Sequence, residues 1–352
     1  MLQHSIFRSL RRWAATHDRE GAMRERDTEF ESLVPLSAAP PPPNSKYDRL
    51  IERAQHLKSA KTVVAYPCDE TSLRGPVEAA ELGLIEPILV GPSDKIKNVG
   101  LEHKIDLSGC KIVDAPDPAS SAAKAVALIR ESKGEVLMKG SLHTDELMRE
   151  VTASATGLRT SRRISHVFIM DVPTYSETLF VTDAAINIFP DLDVKRDILQ
   201  NAIDLFTQVG LGTPRVAILS AVETVTSKIP STIEAAALCK MADRGQITGA
   251  VLDGPLAFDN AIDPEAAKIK GIRSPVAGRA QILLVPDLEA GNMLAKNLVY
   301  LAKADAAGIV LGARVPVVLT SRADSVRARR ASCAVAVIYA DARRQKAAVA
   351  AV

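Results

Sequence analysis

At 352 residues the chain exceeds what one hydrophobic core usually organises, so two domains are expected. Lys and Arg number 44 against 42 for Asp and Glu, a net charge of +2, which excludes a large single-sign field aimed at nucleic acid or a membrane surface. The cysteines, Cys68, Cys110, Cys239 and Cys333, lie far apart with no Cys-x-x-Cys pair, against a zinc site or a secreted disulfide framework. No apolar run reaches the about 18 residues needed to span a bilayer, so a soluble protein of the cytoplasm is expected.

Residues 1–45 read as an N-terminal extension, disordered or loosely docked. They carry the basic stretch Phe7 to Trp13, mixed charge from Asp18 to Glu31, and the stiff Pro40 to Pro43 run as a boundary. An amphipathic membrane or transit helix around Leu2, Ile6, Leu10 and Trp13 is weakened by the acidic residues that follow. From there helix and strand alternate. Helical spacing runs over Asp48–Leu57, Gly75–Leu84, Ser93–Lys97 and Ala119–Ser132, and short buried-type strands over Thr62–Tyr66, Glu86–Gly91, Cys110–Asp114 and Val136–Lys139. Such alternation implies right-handed crossovers and a mostly parallel sheet covered on both faces, with ligands beyond the strand C-termini.

Two neighbouring strands, Ser165–Met170 and Thr178–Thr182, are placed to pair antiparallel across a short loop. Alternation then resumes with a helix over Asp193–Val209, a strand over Arg215–Ser220, a helix from Ser231 to Arg244 and a strand over Gly249–Asp253. The Ser231 helix carries a capping-box pattern, with Glu234 three residues on. Near the end, Ser274-Pro-Val-Ala-Gly278 leads into the apolar run Ile282–Val285 and a polar turn at Asp287, Gly291 and Asn292. A second apolar run, Gly308 to Leu319, ends in Thr320-Ser321-Arg322-Ala323-Asp324-Ser325.

These two closing segments resemble those of the phosphate acetyltransferase and butyryltransferase family, and the resemblance runs from about Lys46 to the C-terminus. It implies an α/β fold of two α/β/α domains with mostly parallel sheets, of isocitrate/isopropylmalate dehydrogenase-like architecture, with a cleft active site. The second domain is inserted in the first: domain 1 spans 46–160 plus 307–352, and domain 2 spans 161–306. The implied reaction is reversible transfer of an acetyl group between coenzyme A and inorganic phosphate through a ternary complex. It implies coenzyme A as substrate with no tightly bound cofactor, small-molecule partners only, and a homodimer. No metal is required.

Acyl transfer of this kind needs a positioned nucleophile, donors for a tetrahedral oxyanion, and cations that gather two anionic substrates. The resemblance assigns the first two to Ser321 and Arg322, although Ser321 with Asp324 would also cap the helix that follows. The family carboxylate seven residues after the serine is Ala328 here. Asp324 is the nearest replacement, either as the base or in capping and orientation of Arg322. In Lys139-Gly-Ser-Leu-His143 and the helix after it, Arg149 matches a coenzyme A-binding arginine, its alternative being an exposed i,i+4 pair with Asp145. His143 is a second loop candidate, and Arg130 a looser match. Ser274, Pro275 and Gly278 form a small-residue loop expected to admit an anion to backbone N–H groups, with Arg279 beside it and Asn292 as an amide donor. Asp253, Gly254 and Asp259 shape the cleft on this reading, and Lys228 stays outside it.

Three rivals remain: the same chemistry on butyryl or propionyl groups, a non-catalytic acyl-CoA or acetyl-phosphate sensing module, and a metal-dependent hydroxyacid dehydrogenase. Neither a phosphate-binding Gly-x-x-x-x-Gly-Lys loop nor a Gly-x-Ser-x-Gly elbow is present.

Overall fold

The computed structural model describes residues 46–319 and 325–350, all within a compact unit that runs from Pro42 to Val352. The Ser321, Arg322 and Asp324 assignments, and the N-terminal extension, lie outside the described residues.

The first half follows the expected alternation: α1 (Lys46–Gln55), β1 (Ala60–Ala65), α2 (Glu70–Glu81), β2 (Ile85–Gly91), α3 (Ser93–Glu102), β3 (Lys111–Asp114), α4 (Pro118–Arg130), β4 (Val136–Lys139) and α5 (Thr144–Thr152). The antiparallel pair β5 (Ser165–Asp171) and β6 (Leu179–Thr182) follows as predicted. Then come α6 (Leu192–Gln208), β7 (Arg215–Leu219), α7 (Pro230–Asp243), β8 (Val251–Leu256), α8 (Phe258–Ile262), α9 (Pro264–Ile269), β9 (Ile282–Leu284), α10 (Leu288–Tyr300), β10 (Asp305–Leu311), β11 (Val317–Val318) and α11 (Val326–Ala350).

Aspartates start several of these helices for a local reason. Asp69, Asp117, Asp191 and Asp287 sit in extended backbone just before α2, α4, α6 and α10, and each carboxylate accepts the amide of the third helical residue. That satisfies a donor with no intrahelical partner, an arrangement worth about 1 kcal/mol per cap.

Several boundaries depart from the sequence reading. The helix expected from Gly75 begins at Glu70, because Asp69 and Ser72 complete a reciprocal cap upstream. The Ser231/Glu234 capping box does not form. Instead α7 starts at Pro230 after Ile229, whose side chain makes no cap bond, while Ser231 shares a hydroxyl contact with Ser220 (2.9 Å) and Glu234 reaches across to Lys195. The polar turn at Asp287–Asn292 is the opening of α10. Gly291 is needed there for close packing, since a Cβ would lie 2.7 Å from Val285 and 3.0 Å from Ala184. The run from Gly308 to Leu319 is a hairpin, β10 antiparallel to β11, rather than one strand.

The described strands form one sheet in the order β3-β2-β1-β4-β11-β10-β5-β6-β9-β7-β8. Strands of 46–160 and 307–352 occupy one side of it, those of 161–306 the other, and β10 and β5 join them antiparallel. Because β10 and β5 run against their neighbours, direction reverses across the sheet. The edge where β1, β2, β3, β4 and β11 end is therefore the edge where β6, β9, β7 and β8 begin.

The two faces are packed differently. On one, Val64, Val167, Ile169, Ile309 and Ile282 join α1, α2, α6, α7 and α11 in a single apolar cluster spanning the sheet. On the other, α4 and α5 cover a cluster containing Val63, Leu137 and Val310, whereas α8 and α10 cover a separate one containing Met170, Val181 and Leu283. Along β10 the transition falls between Ala306 and Val310, at Gly308.

Candidate active site

The seam is built closely around Gly308. Gly308 pairs with Phe168 across β10 and β5, and a Cβ on it would stand 2.9 Å from His166 Nε2 and 3.4 Å from the Leu319 carbonyl. His166, 2% exposed, packs edge-on against Phe168 at 4.3 Å, and its Nδ1 has no hydrogen-bond partner among the described residues. Burial alone drives its pKa down to about 3, so the ring is neutral. Leu319 ends the strand run at the first edge and leads directly to Thr320.

At the same edge a charged network ties distant segments together. Asp171 at the end of β5 faces Asp305 at the start of β10, and Arg327 of α11 bridges them at 4.0 and 3.6 Å while also meeting Asp48 at 3.4 Å. Lys46 pairs with Asp171 (3.4 Å) and donates to the Val172 and Tyr175 carbonyls, and desolvation lowers its pKa. Tyr175 donates to the Ala280 carbonyl (2.6 Å), fastening the β5–β6 loop to the approach to β9. Beneath lies the fully buried Tyr47, whose hydroxyl donates to the Ile169 carbonyl and accepts the Ala307 amide (2.6 Å).

Ser274, Pro275 and Gly278 come to this first edge, just before β9. Their loop closes on itself: Ser274 Oγ accepts the Val276 and Ala277 amides (3.0 and 3.1 Å), and the Gly278 amide donates to the Asn260 carbonyl (2.8 Å). The backbone donors expected to meet an anion are thus already bonded. Gly278 is glycine for two physical reasons, a φ of +79° and a Cβ position only 2.5 Å from Pro264 Cα. Asn260, fully buried, links this loop to Glu223 at 3.4 Å, and Lys270 bridges Glu223 and Asp259 (3.4 and 3.2 Å).

His143 is exposed at the first edge as the cap residue of α5, its amide donating to Glu146 (2.8 Å). Arg149 lies on the outer face of α5, 73% exposed and 4.0 Å from Asp145, so the surface-pair geometry is present. Asn292 stands at the opposite end of β9 in α10, donating to the Ala184 carbonyl (3.3 Å). The structure therefore gathers His143 and the Ser274 loop at one edge and puts Asn292 at the other. Asp253 caps the Gly254 amide within β8 (2.8 Å). Among the described residues, no group of three or more His, Cys, Asp or Glu side chains is placed to hold a metal ion, and no helix is long and apolar enough to cross a membrane.

Sequence reasoning missed His166, Asn260 and the Lys46–Asp171–Asp305–Arg327 network. The network's members lie far apart in the chain, so no local spacing could reveal them. A lone buried histidine in an apolar strand was the one visible signal.

With this geometry in hand, the comparisons are consistent. The sequence profile described as phosphate acetyl/butaryl transferase matches residues 119–337. A phosphate acetyltransferase from Rhizobium meliloti is 75% identical over 308 residues, covering 88% of this chain and 97% of that protein. A phosphate butyryltransferase from Clostridium beijerinckii is 40% identical over 297 residues, covering 84% and 98%. Among solved structures, a branched-chain phosphotransacylase from Enterococcus faecalis V583 superposes with a TM-score of 0.70 at 30% identity, covering 80% of this chain and 99% of that one. The chain belongs to the phosphate acetyl/butyryl transferase family of acyltransferases.

Proposed function

We propose that the chain is a phosphate acetyltransferase, catalysing acetyl-CoA plus inorganic phosphate to acetyl phosphate plus coenzyme A, reversibly. The observation that carries the acetyl reading is the extent and identity of the match to the Rhizobium meliloti protein of that name, well above the match to the butyryltransferase.

In the forward direction a phosphate oxygen attacks the thioester carbonyl, a C–O bond forms, and the oxyanion collapses. The C–S bond then breaks, and its electron pair leaves on the coenzyme A sulfur. On our reading, Arg322 holds phosphate and oxyanion, Ser321 positions the sulfur, and Asp324 exchanges the proton. Arg149 and His143 meet coenzyme A, and Ser274, Pro275 and Gly278 shape the substrate surface, whereas Asn292, at the opposite edge, drops out of it. Grouping of the strands by segment supports a two-domain reading with 161–306 inserted. A homodimer of the cytoplasm, with no tightly bound cofactor, completes the proposal.

The test is thiol release from acetyl-, propionyl- and butyryl-CoA, with and without phosphate, for wild type and Arg322→Ala. Phosphate-dependent release fastest with acetyl-CoA, and about 10²- to 10³-fold slower in the variant, is expected. A butyryl preference would transfer the reading to that substrate. Tight coenzyme A binding without release from any donor would leave a sensing module.

A further inference from the structure

At the second edge, away from the Leu319 end of the seam, lies a cavity of about 550 Å³, a size suited to a small ligand. It is open to solvent on one side and bordered by the end of α5, the run-in to β5, the loop after β6 and the first turns of α6, and four arginines line it: Arg162, Arg196 and the exposed Arg159 and Arg163. Two of them are occupied. Arg196 pairs with Asp193 and Asp197 (3.4 and 3.2 Å), the two aspartates in the lining, and Arg162 pairs with Asp204 (3.1 Å). No ion pair to a carboxylate is found among the described residues for Arg159 or Arg163.

Arg163 is nevertheless held in place. Its Nε donates to Asn187 Oδ1 (2.8 Å), which leaves the two terminal nitrogens for a ligand, and its backbone amide donates to Asp197 (2.8 Å). Asn187 is 4% exposed and is fixed in turn by donation to the Ile164 carbonyl (2.9 Å) and to Asp183 (2.6 Å). Asp183 also accepts the amides of Ala185, Ile186 and Asn187, so the whole loop is pinned. Thr160 steadies the other wall by donating to the Gly312 carbonyl (2.6 Å). A buried amide that orients an otherwise unpaired guanidinium into a cavity resembles a preorganised anion site more than a solvated charge run.

We propose that this cavity binds a phosphorylated ligand of nucleotide size through Arg159 and Arg163. Two sources share that chemistry. One is the nucleotide end of coenzyme A, which would have to span the seven residues of β10, roughly 20 Å, from the first edge. The other is a free nucleotide. Only the first source rests on the function proposed above.

The experiment is calorimetric titration of the full chain with ADP, coenzyme A and, as control, adenosine, using wild type, Arg159→Ala and Arg159→Ala/Arg163→Ala. ADP should bind where adenosine does not, more weakly at higher salt, and the double variant should lose about tenfold or more in affinity. Competition between ADP and coenzyme A, with a raised KM for acetyl-CoA but not for acetyl-pantetheine, assigns the cavity to the substrate's own phosphates. Simultaneous binding assigns it to a free nucleotide. No ADP binding to wild type, or affinities within twofold of wild type in a variant with an unchanged melting temperature, overturns the proposal. Arg159→Ala alone, at a side chain with no side-chain partner among the described residues, keeps the test usable should the double variant misfold. Because binding is read without turnover, an inactive enzyme would count against the acetyltransferase reading and not against this one.

Discussion

The two faces of the sheet are made from alternate residues of the same strands, yet they are packed differently. The face under α11 is one apolar cluster from Tyr47 and Leu89 to Phe206 and Leu238, without a break as the strands reverse direction. The other is divided at Gly308, where two helix pairs cover separate clusters, with Phe168 packed against the second and His166 beside it in neither. A continuous core maximises area removed from water, whereas an interrupted one gives up some of that area to make room for polar chemistry. The comparison teaches that the two-residue period of a strand lets one sheet carry a continuous core on one face and a divided one on the other, and on the function proposed above the divided face is the one that borders the site.

The strongest way to break this comparison is to damage the continuous face alone. Phe206 is 1% exposed and packs edge-on against Phe180 at 5.1 Å. Phe206→Ala should cost about 3–5 kcal/mol in denaturant unfolding, while activity per folded molecule stays close to wild type well below the melting temperature. A comparable loss of kcat at full folding would show that the faces are not separable.

A test of intermediate size uses pH on the divided face. His166 has its pKa held down to about 3 in the folded chain, below the ordinary value of 6.5. The unfolded chain therefore binds a proton that the folded one refuses. This contribution is intact above about pH 6.5 and is lost as pH falls toward 3, at about 1.4 kcal/mol per pH unit. Stability of His166→Gln, followed by urea unfolding from pH 7.5 to 4.5, should fall less steeply than that of wild type. Parallel slopes would mean the imidazole is not excluded from water.

The smallest expected effect separates binding from surface pairing. Arg149→Ala should change stability by less than about 0.5 kcal/mol, because its partner Asp145 is 4.0 Å away and both are largely exposed. A clear rise in KM for acetyl-CoA with kcat retained would sharpen the role given to Arg149, and an unchanged KM would return it to the surface.

Much of the fold was legible. The helix–strand alternation and the β5–β6 pair were visible because hydrophobic period is a local property. Boundaries were less so: the Asp69–Ser72 cap extended α2 upstream of its apolar pattern, and Pro230 with Thr232 displaced the cap expected at Ser231. For the site, motif resemblance named the Ser274 loop and Asn292 as one constellation, but β9 holds them at opposite edges. The Arg159–Arg163 charge run was present in the sequence without any sign that Asn187 would orient one of its members.

By itself, then, the sequence determined the period of each element and the family, since these depend on neighbours within a few positions. Only the tertiary structure decided that the sheet reverses at β10 and β5, that the satellite clusters part at Gly308, and that Lys46, Asp171, Asp305 and Arg327 meet. Those outcomes depend on which strands pair across more than a hundred residues, and such pairings are selected by the packing of the whole core rather than by any local pattern.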